Sequence, residues 1–115
     1  MAPVGLTAVE AIRLLSSGAL TSEALVADCL RRIDEQEPRI QAWEFLDREL
    51  ALAQARRADR AGRPGPLHGL PVGVKDVFDT HDMPAAWGTP LFAGRRPAQD
   101  AAAVARLPDP HQSRP

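Results

Sequence analysis

Leu70-Pro71-Val72-Gly73-Val74-Lys75-Asp76-Val77-Phe78-Asp79 is the most apolar run in the chain, and it carries the only lysine. The thirteen other basic side chains are all arginine. Val72, Val74 and their neighbours place apolar groups on both faces, the pattern of a strand covered on two sides. The stretch is therefore expected to be a buried strand. Helices are expected before and after it, which sets the fold class at α/β, mostly helices with about two strands.

Lysine and arginine are not equivalent in such a place. A guanidinium keeps its proton in a protein, whereas a lysine in low dielectric gives it up more readily. A neutral amine at a strand end is a candidate general base or nucleophile. The competing reading is a half-buried Lys75 paired with Asp76, its stem lying along apolar surface. Eleven prolines and the Ala/Arg bias of the composition account for the scarcity of lysine without explaining where the survivor sits.

Working outward, 115 residues suit one domain, and 44% apolar with 25% charged residues is ordinary for a globular chain. A net charge of −1 argues against nucleic acid or an anionic membrane as an electrostatically recruited partner. The single cysteine, Cys29, excludes an internal disulfide framework and points to a reducing, cytoplasmic location. Glu10 and Arg13 interrupt the first apolar stretch, so it does not read as a secretory signal. No apolar run reaches the roughly 20 residues of a membrane helix.

Thr7-Ala8-Val9-Glu10 has the form of a capping box, with Val9, Ile12 and Leu15 expected on one face and Gly18 as terminator. A second helix is expected from Thr21-Ser22-Glu23, with Leu25, Val26, Cys29, Leu30 and Ile33 as its buried stripe and a stop before Pro38. Cys29 is read as core. Ile40 to Leu46 breaks the helical period and suggests a short strand. Asp47 caps a third helix to about Ala61, and Gly62-Arg63-Pro64-Gly65-Pro66 is a turn-rich connector. Asp79 to Gly94 reads as irregular loop. Its large groups Met83, Trp87 and Phe92 either line a pocket or anchor the loop, and Met83 and Trp87 are the candidate pocket residues. Asp100 is expected to cap a last helix, Ala101 to Leu107.

His68, His81 and His111 lack metal-site spacing, and neither a Walker sequence nor a dinucleotide fingerprint is present, so no metal or cofactor is expected. His68 reads as a hydrogen-bonded loop residue.

Gly65-Pro66-Leu67-His68-Gly69-Leu70-Pro71-Val72-Gly73-Val74-Lys75-Asp76 resembles the amidase signature family, which includes amidases and the A subunit of glutamyl-tRNA(Gln) amidotransferase. The likeness extends to Leu20-Thr21-Ser22-Glu23, to Pro38-Arg39-Ile40-Gln41-Ala42-Trp43, and from Phe92-Ala93-Gly94 to Arg106-Leu107. It covers roughly residues 5–107.

The resemblance implies an α/β/α sandwich on a mixed sheet, of which residues 1–107 would be the leading, incomplete part. It also implies amide hydrolysis by a Ser–cis-Ser–Lys triad in which Lys75 accepts the proton of the bridging serine. That serine would activate the nucleophilic one, and backbone N–H groups of a glycine-rich loop would hold the oxyanion. A small-molecule amide would be the substrate. Both serines of that pattern lie downstream in the family. Ser16, Ser17, Ser22 and Ser113 have no comparable surroundings, so the chain is expected to be truncated and inactive alone. Residues 108–115 read as an unrelated disordered tail. The alternative is a non-catalytic interaction module, or half of a split amidase that packs on a downstream amidase segment. Two further departures are His81-Asp82, where the family usually has Ala-Gly, and Ala85 and Ala86, where it has threonines.

Overall fold

The computed structural model describes residues 3–62 and 65–107. It divides into two compact units, residues 3–62 with 65–71, and residues 72–107. The candidate tail at 108–115, with His111 and Ser113, and part of the 62–66 connector lie outside the described residues.

The first unit is helical. α1 (Ala8–Ser17) begins with the full capping box: Glu10 N–H donates to Thr7 Oγ1, and the Glu10 carboxylate accepts from Thr7 N–H. It ends at Gly18, whose φ of 79° is a left-handed conformation that favours a residue without Cβ. The buried face is Ala11 and Leu15, four residues apart, while Val9 is exposed. The observed stripe is therefore rotated by a fraction of a turn from the expected one.

α2 (Ser22–Ile40) starts on Thr21, whose hydroxyl accepts from Ala24 N–H. Leu25, Val26 and Leu30 are buried, and Cys29 and Ile33 pack beside them, as the periodicity implied. Burial pushes the Cys29 thiol up from its ordinary pKa, and neighbouring Asp28 adds to that, which suits a core group rather than a nucleophile.

The helix does not stop before Pro38 but runs to Ile40. A proline removes one N–H bond to the carbonyl four residues back. So near the helix end that loss does not prevent one more half-turn. Gln41 then closes the helix at φ 53°, its N–H donating to the Glu37 carbonyl.

α3 (Arg48–Arg60) follows its Asp47 cap as expected. It packs antiparallel on α2, because the start of each helix is bonded to the later part of the other. The Asp59 carboxylate takes the N–H groups of Ser22 and Glu23 at 2.7 and 3.0 Å, and Arg48 pairs with Asp34. Asp59 thus supplies from α3 the anionic partner that the positive end of α2 favours.

Two apolar clusters fill the unit. Ala11, Leu15 and Leu25 are joined by Leu6, Leu20, Cys29 and Leu70, while Val26, Leu30 and Ala55 are joined by Ile33, Leu46, Ala51 and Leu52. His68 is 3% exposed, with Nε2 2.7 Å from the Ala58 carbonyl, and Ser22 Oγ donates to the Gly69 carbonyl at 2.7 Å. These bonds fasten the chain leaving α3 onto α2 and α3. A Cβ on Gly69 would meet Ser22 Cβ at 3.4 Å, on a backbone already at φ 85°.

The α/β expectation does not hold. Among the described residues every regular element is a helix, and neither expected strand forms. Between residues 40 and 46 the left-handed Gln41 turns the chain, and Trp43 N–H donates to the Glu37 side chain, so its donor goes to a cap rather than a ladder. Between 70 and 79 no neighbouring strand offers a ladder, without which extended backbone is not a sheet. Phe78 N–H folds back on the Lys75 carbonyl at 3.0 Å, and Val72, Val77 and Phe78 are exposed. Apolar content was read as burial on two faces, and here those faces are open.

The second unit has one short 3-10 helix, Pro90–Phe92, and α4 (Ala102–Ala105). α4 is shorter than expected and lacks its expected cap: Asp100 makes no capping bond, and its Oδ1 instead accepts from His81 N–H. The rest is held by turns and side-chain bonds.

Candidate functional site

Lys75 lies in an open turn and is exposed, which corrects the expectation of a buried strand lysine. Its chain neighbour is the more committed group. Asp76 Oδ1 accepts from Ala86 N–H at 2.9 Å and Oδ2 from Gly88 N–H at 3.1 Å. One carboxylate thereby grips the backbone on both sides of Trp87 and brings that loop onto the Lys75-Asp76 turn.

Trp87 has φ 55°, a left-handed conformation that a bulky side chain rarely adopts and that costs about 1–3 kcal/mol. Several contacts hold it there. Beyond the two amide bonds, Trp87 Nε1–H donates to Asp79 Oδ1 at 2.9 Å, and the Arg95 guanidinium lies 4.0 Å from the indole centroid. Phe92 meets the ring edge-on at 5.1 Å. Despite these restraints the residue remains 44% exposed.

Asp79 and Arg95 form the second tie. Arg95 Nη1 and Nη2 donate to the two Asp79 oxygens at 2.8 and 3.0 Å, a bidentate pair, and Nη1 also reaches the Ala85 carbonyl. Ala85 N–H donates to the Arg95 carbonyl, and Ala101 N–H to the Asp79 carbonyl. The Arg95 bonds, with a smaller contribution from Trp87, hold the Asp79 carboxyl below the usual carboxylate range against its partial desolvation.

The sign of the pH dependence follows. A depressed folded-state pKa contributes stability that is complete above the unfolded value, about 4, and is lost as pH falls through the lower folded value. Trp87 fluorescence in a Trp43→Phe background should be constant from neutral pH to about 4 and change below it. Asp79→Asn should show the altered signal already at neutral pH.

The other candidates separate. Met83 is half-buried on a turn where Thr80 Oγ1 donates to its carbonyl, and it takes no part in the hydrogen bonds around Trp87. Trp87 and Phe92 meet each other rather than anchoring the loop in a core. Ala85 and Ala86, where the resemblance implies threonines, are buried, with Ala85 only 1% exposed. His81 Nδ1 lies 2.8 Å from Asp100 Oδ1. Burial would raise the Asp100 pKa, but the His81 N–H and imidazole outweigh it and hold the carboxyl below its ordinary value.

Among the described residues no three His, Cys, Asp or Glu side chains gather as a metal site, and no helix is long and apolar enough to cross a membrane. Asp79 and Arg95 were not singled out from sequence, and Asp76 was named only as an ion-pair partner for Lys75. Both aspartates stood in the opening stretch, but nothing in their spacing signals partners eight to sixteen residues away.

Comparison with known proteins supplies the context. The Amidase family model matches residues 24–109. A putative amidase, AmiD, of Mycobacterium tuberculosis is 44% identical over 102 residues, covering 85% of this chain and 22% of that protein. The A subunit of the glutamyl-tRNA(Gln) amidotransferase of Chloroflexus aggregans is 42% identical over 106 residues, covering 89% of this chain and 22% of its own length. Its counterpart in Streptomyces coelicolor is 37% identical over 108 residues, with 90% and 22% covered. The chain thus spans about a fifth of the length of these curated relatives. With the family model matching most of its residues, including the whole Lys75–Arg95 region, this chain belongs to the amidase family.

Proposed function

We propose that this chain supplies the lysine of an amidase of the Ser–cis-Ser–Lys type, Lys75, and that it acts on a small-molecule amide together with a serine-bearing segment. The observation that carries the reading is Lys75-Asp76 inside the family match, with Asp76 organising the 86–88 loop on the turn. Lys75 would take the proton of the bridging serine, and that serine would activate the nucleophile that attacks the amide carbon.

A neutral lysine needs apolar surroundings, and Lys75 is exposed here. The reading therefore requires the serine-bearing segment to cover this turn. Trp87, and with less support Met83, would line the substrate's side of it. Residues 1–107 act in this reading as the leading part of an amidase domain, whose family match runs two residues further, and the location is cytoplasmic.

Two of the described serines have their hydroxyls engaged elsewhere. Ser22 is buried and donates to the Gly69 carbonyl, and Ser17 donates to the Leu14 carbonyl. The chain alone should therefore not release ammonia from a simple amide. Turnover by the purified chain that disappears in Lys75→Ala would contradict this.

A second reading is a non-catalytic module, or one half of a split amidase, that covers its open surface with a downstream amidase segment. The exposure of Val72, Val77, Phe78 and Leu91 within one small unit favours it. The Chloroflexus and Streptomyces relatives are each named as one component of an amidotransferase, which makes assembly with other chains part of this alternative.

A further inference from the structure

Trp87 is costly where it stands. Asparagine or glycine would occupy φ 55° with less strain, and the Asp76 clamp needs only the backbone N–H groups of residues 86 and 88, not an indole between them. Within this unit the indole is not used up by packing, since it is nearly half exposed and the contacts that hold it leave part of the ring open.

The ring is also tethered on several sides. Nε1–H is tied to Asp79, one ring face is taken by Arg95, and an edge is set by Phe92. Arg95 cannot swing away without giving up its bidentate bond to Asp79. The result is a fixed, open aromatic surface, whose ordering costs are met before any ligand arrives. Its backbone is held by the residue that follows Lys75.

From this we propose that Trp87 is a specificity-determining residue that stacks an aryl group of the substrate, so that the amides acted on are arylalkyl amides rather than short aliphatic ones. The substrate class rests on the amidase reading above; the stacking itself does not. A cationic ligand is disfavoured, because Arg95 already occupies one face of the ring with its positive charge. A flat neutral ring meets no such opposition and gains offset-stacking or edge-to-face contact.

The test uses the full 115-residue chain, 15N-labelled, with the two indole N–H signals of Trp43 and Trp87 assigned by Trp43→Phe. Phenylacetamide and acetamide are titrated separately. The inference expects phenylacetamide to shift the Trp87 signal saturably, with Kd on the order of millimolar for so small a ligand. Acetamide should leave it in place at a concentration about tenfold higher, and Trp43, itself exposed, should not respond to either. Read from the backbone N–H signals of Ala86 and Gly88, which flank the position, Trp87→Phe should retain binding within about threefold, and Trp87→Asn, which suits the backbone, should remove it.

Equal response of Trp43 and Trp87, an equal effect of acetamide, or unchanged binding of phenylacetamide to Trp87→Asn each overturns the proposal. None of these readouts involves turnover. Failure of the amidase reading would show instead as an inactive serine-containing assembly with the aryl preference at Trp87 intact.

Discussion

Lys75→Arg is expected to be as inactive as Lys75→Ala when residues 5–107 are grafted in place of the matching segment of an amidase relative. Both variants should lose about 10^4-fold in kcat, the scale on which removal of one member of a catalytic triad acts. The arginine variant separates two roles that alanine merges. If Lys75 only supplied positive charge, a guanidinium would largely replace it. If it accepts a proton from a serine, a group that stays protonated cannot serve. In this chain Lys75 is exposed and makes no side-chain ion pair or hydrogen bond among the described residues, so neither substitution should disturb the fold of residues 5–107 themselves. The thermal stability of each grafted variant is measured beside its kcat, so that a folded enzyme with about 10^4-fold lower kcat is distinguished from an unfolded one. KM should change little, since the proposed role begins after the amide is bound.

The second large effect is on stability and lies in the first unit. Leu25→Ala removes one of the three buried residues at the centre of the α1–α2 cluster, where it is 4% exposed. Deleting such a side chain costs about 2–5 kcal/mol, from lost transfer free energy and from the cavity left behind. A small domain has roughly 5–15 kcal/mol in total. This unit depends on two alanine- and leucine-lined clusters without a sheet to reinforce them, and it has no such reserve of core. Leu25→Ala should therefore lower the urea midpoint of the helical circular-dichroism signal by roughly a third or more. Val9→Ala, on the exposed side of α1, should shift it hardly at all. Equal effects of the two would mean that the clusters do not carry the stability of the unit.

The helices were legible in the sequence because their signals are local. Thr7 with Glu10, Thr21, Asp47 and Gly18 act within four residues of themselves, and each does in the structure what its chemistry implied. The strands were misread because a strand is defined by a partner. Apolar residues on both faces at 70–79 say that the segment can be covered, not that a ladder lies beside it. Asp100 was misplaced for a related reason. A carboxylate before a run of alanines is a good cap, but His81, nineteen residues earlier, offers its N–H and its imidazole to the same oxygen.

Lys75 was found by composition and by the motif around it, whereas the Asp76 clamp, the Asp79–Arg95 pair and the left-handed Trp87 depend on how a turn-rich loop closes on itself. No periodicity announces such closure. The motif thus pointed to Lys75, and only the structure showed which residues hold the loop beside it.

The most direct test of Lys75 as a proton acceptor isolates nucleophile activation from substrate binding. The rate at which a fluorophosphonate labels the nucleophilic serine of the grafted enzyme is measured from about pH 6 to about pH 9 for the parent and for Lys75→Arg. A lysine base predicts labelling that rises with pH in the parent and is slower by orders of magnitude, without that rise, in the arginine variant. Equal labelling rates and equal pH profiles in two well-folded proteins would contradict it.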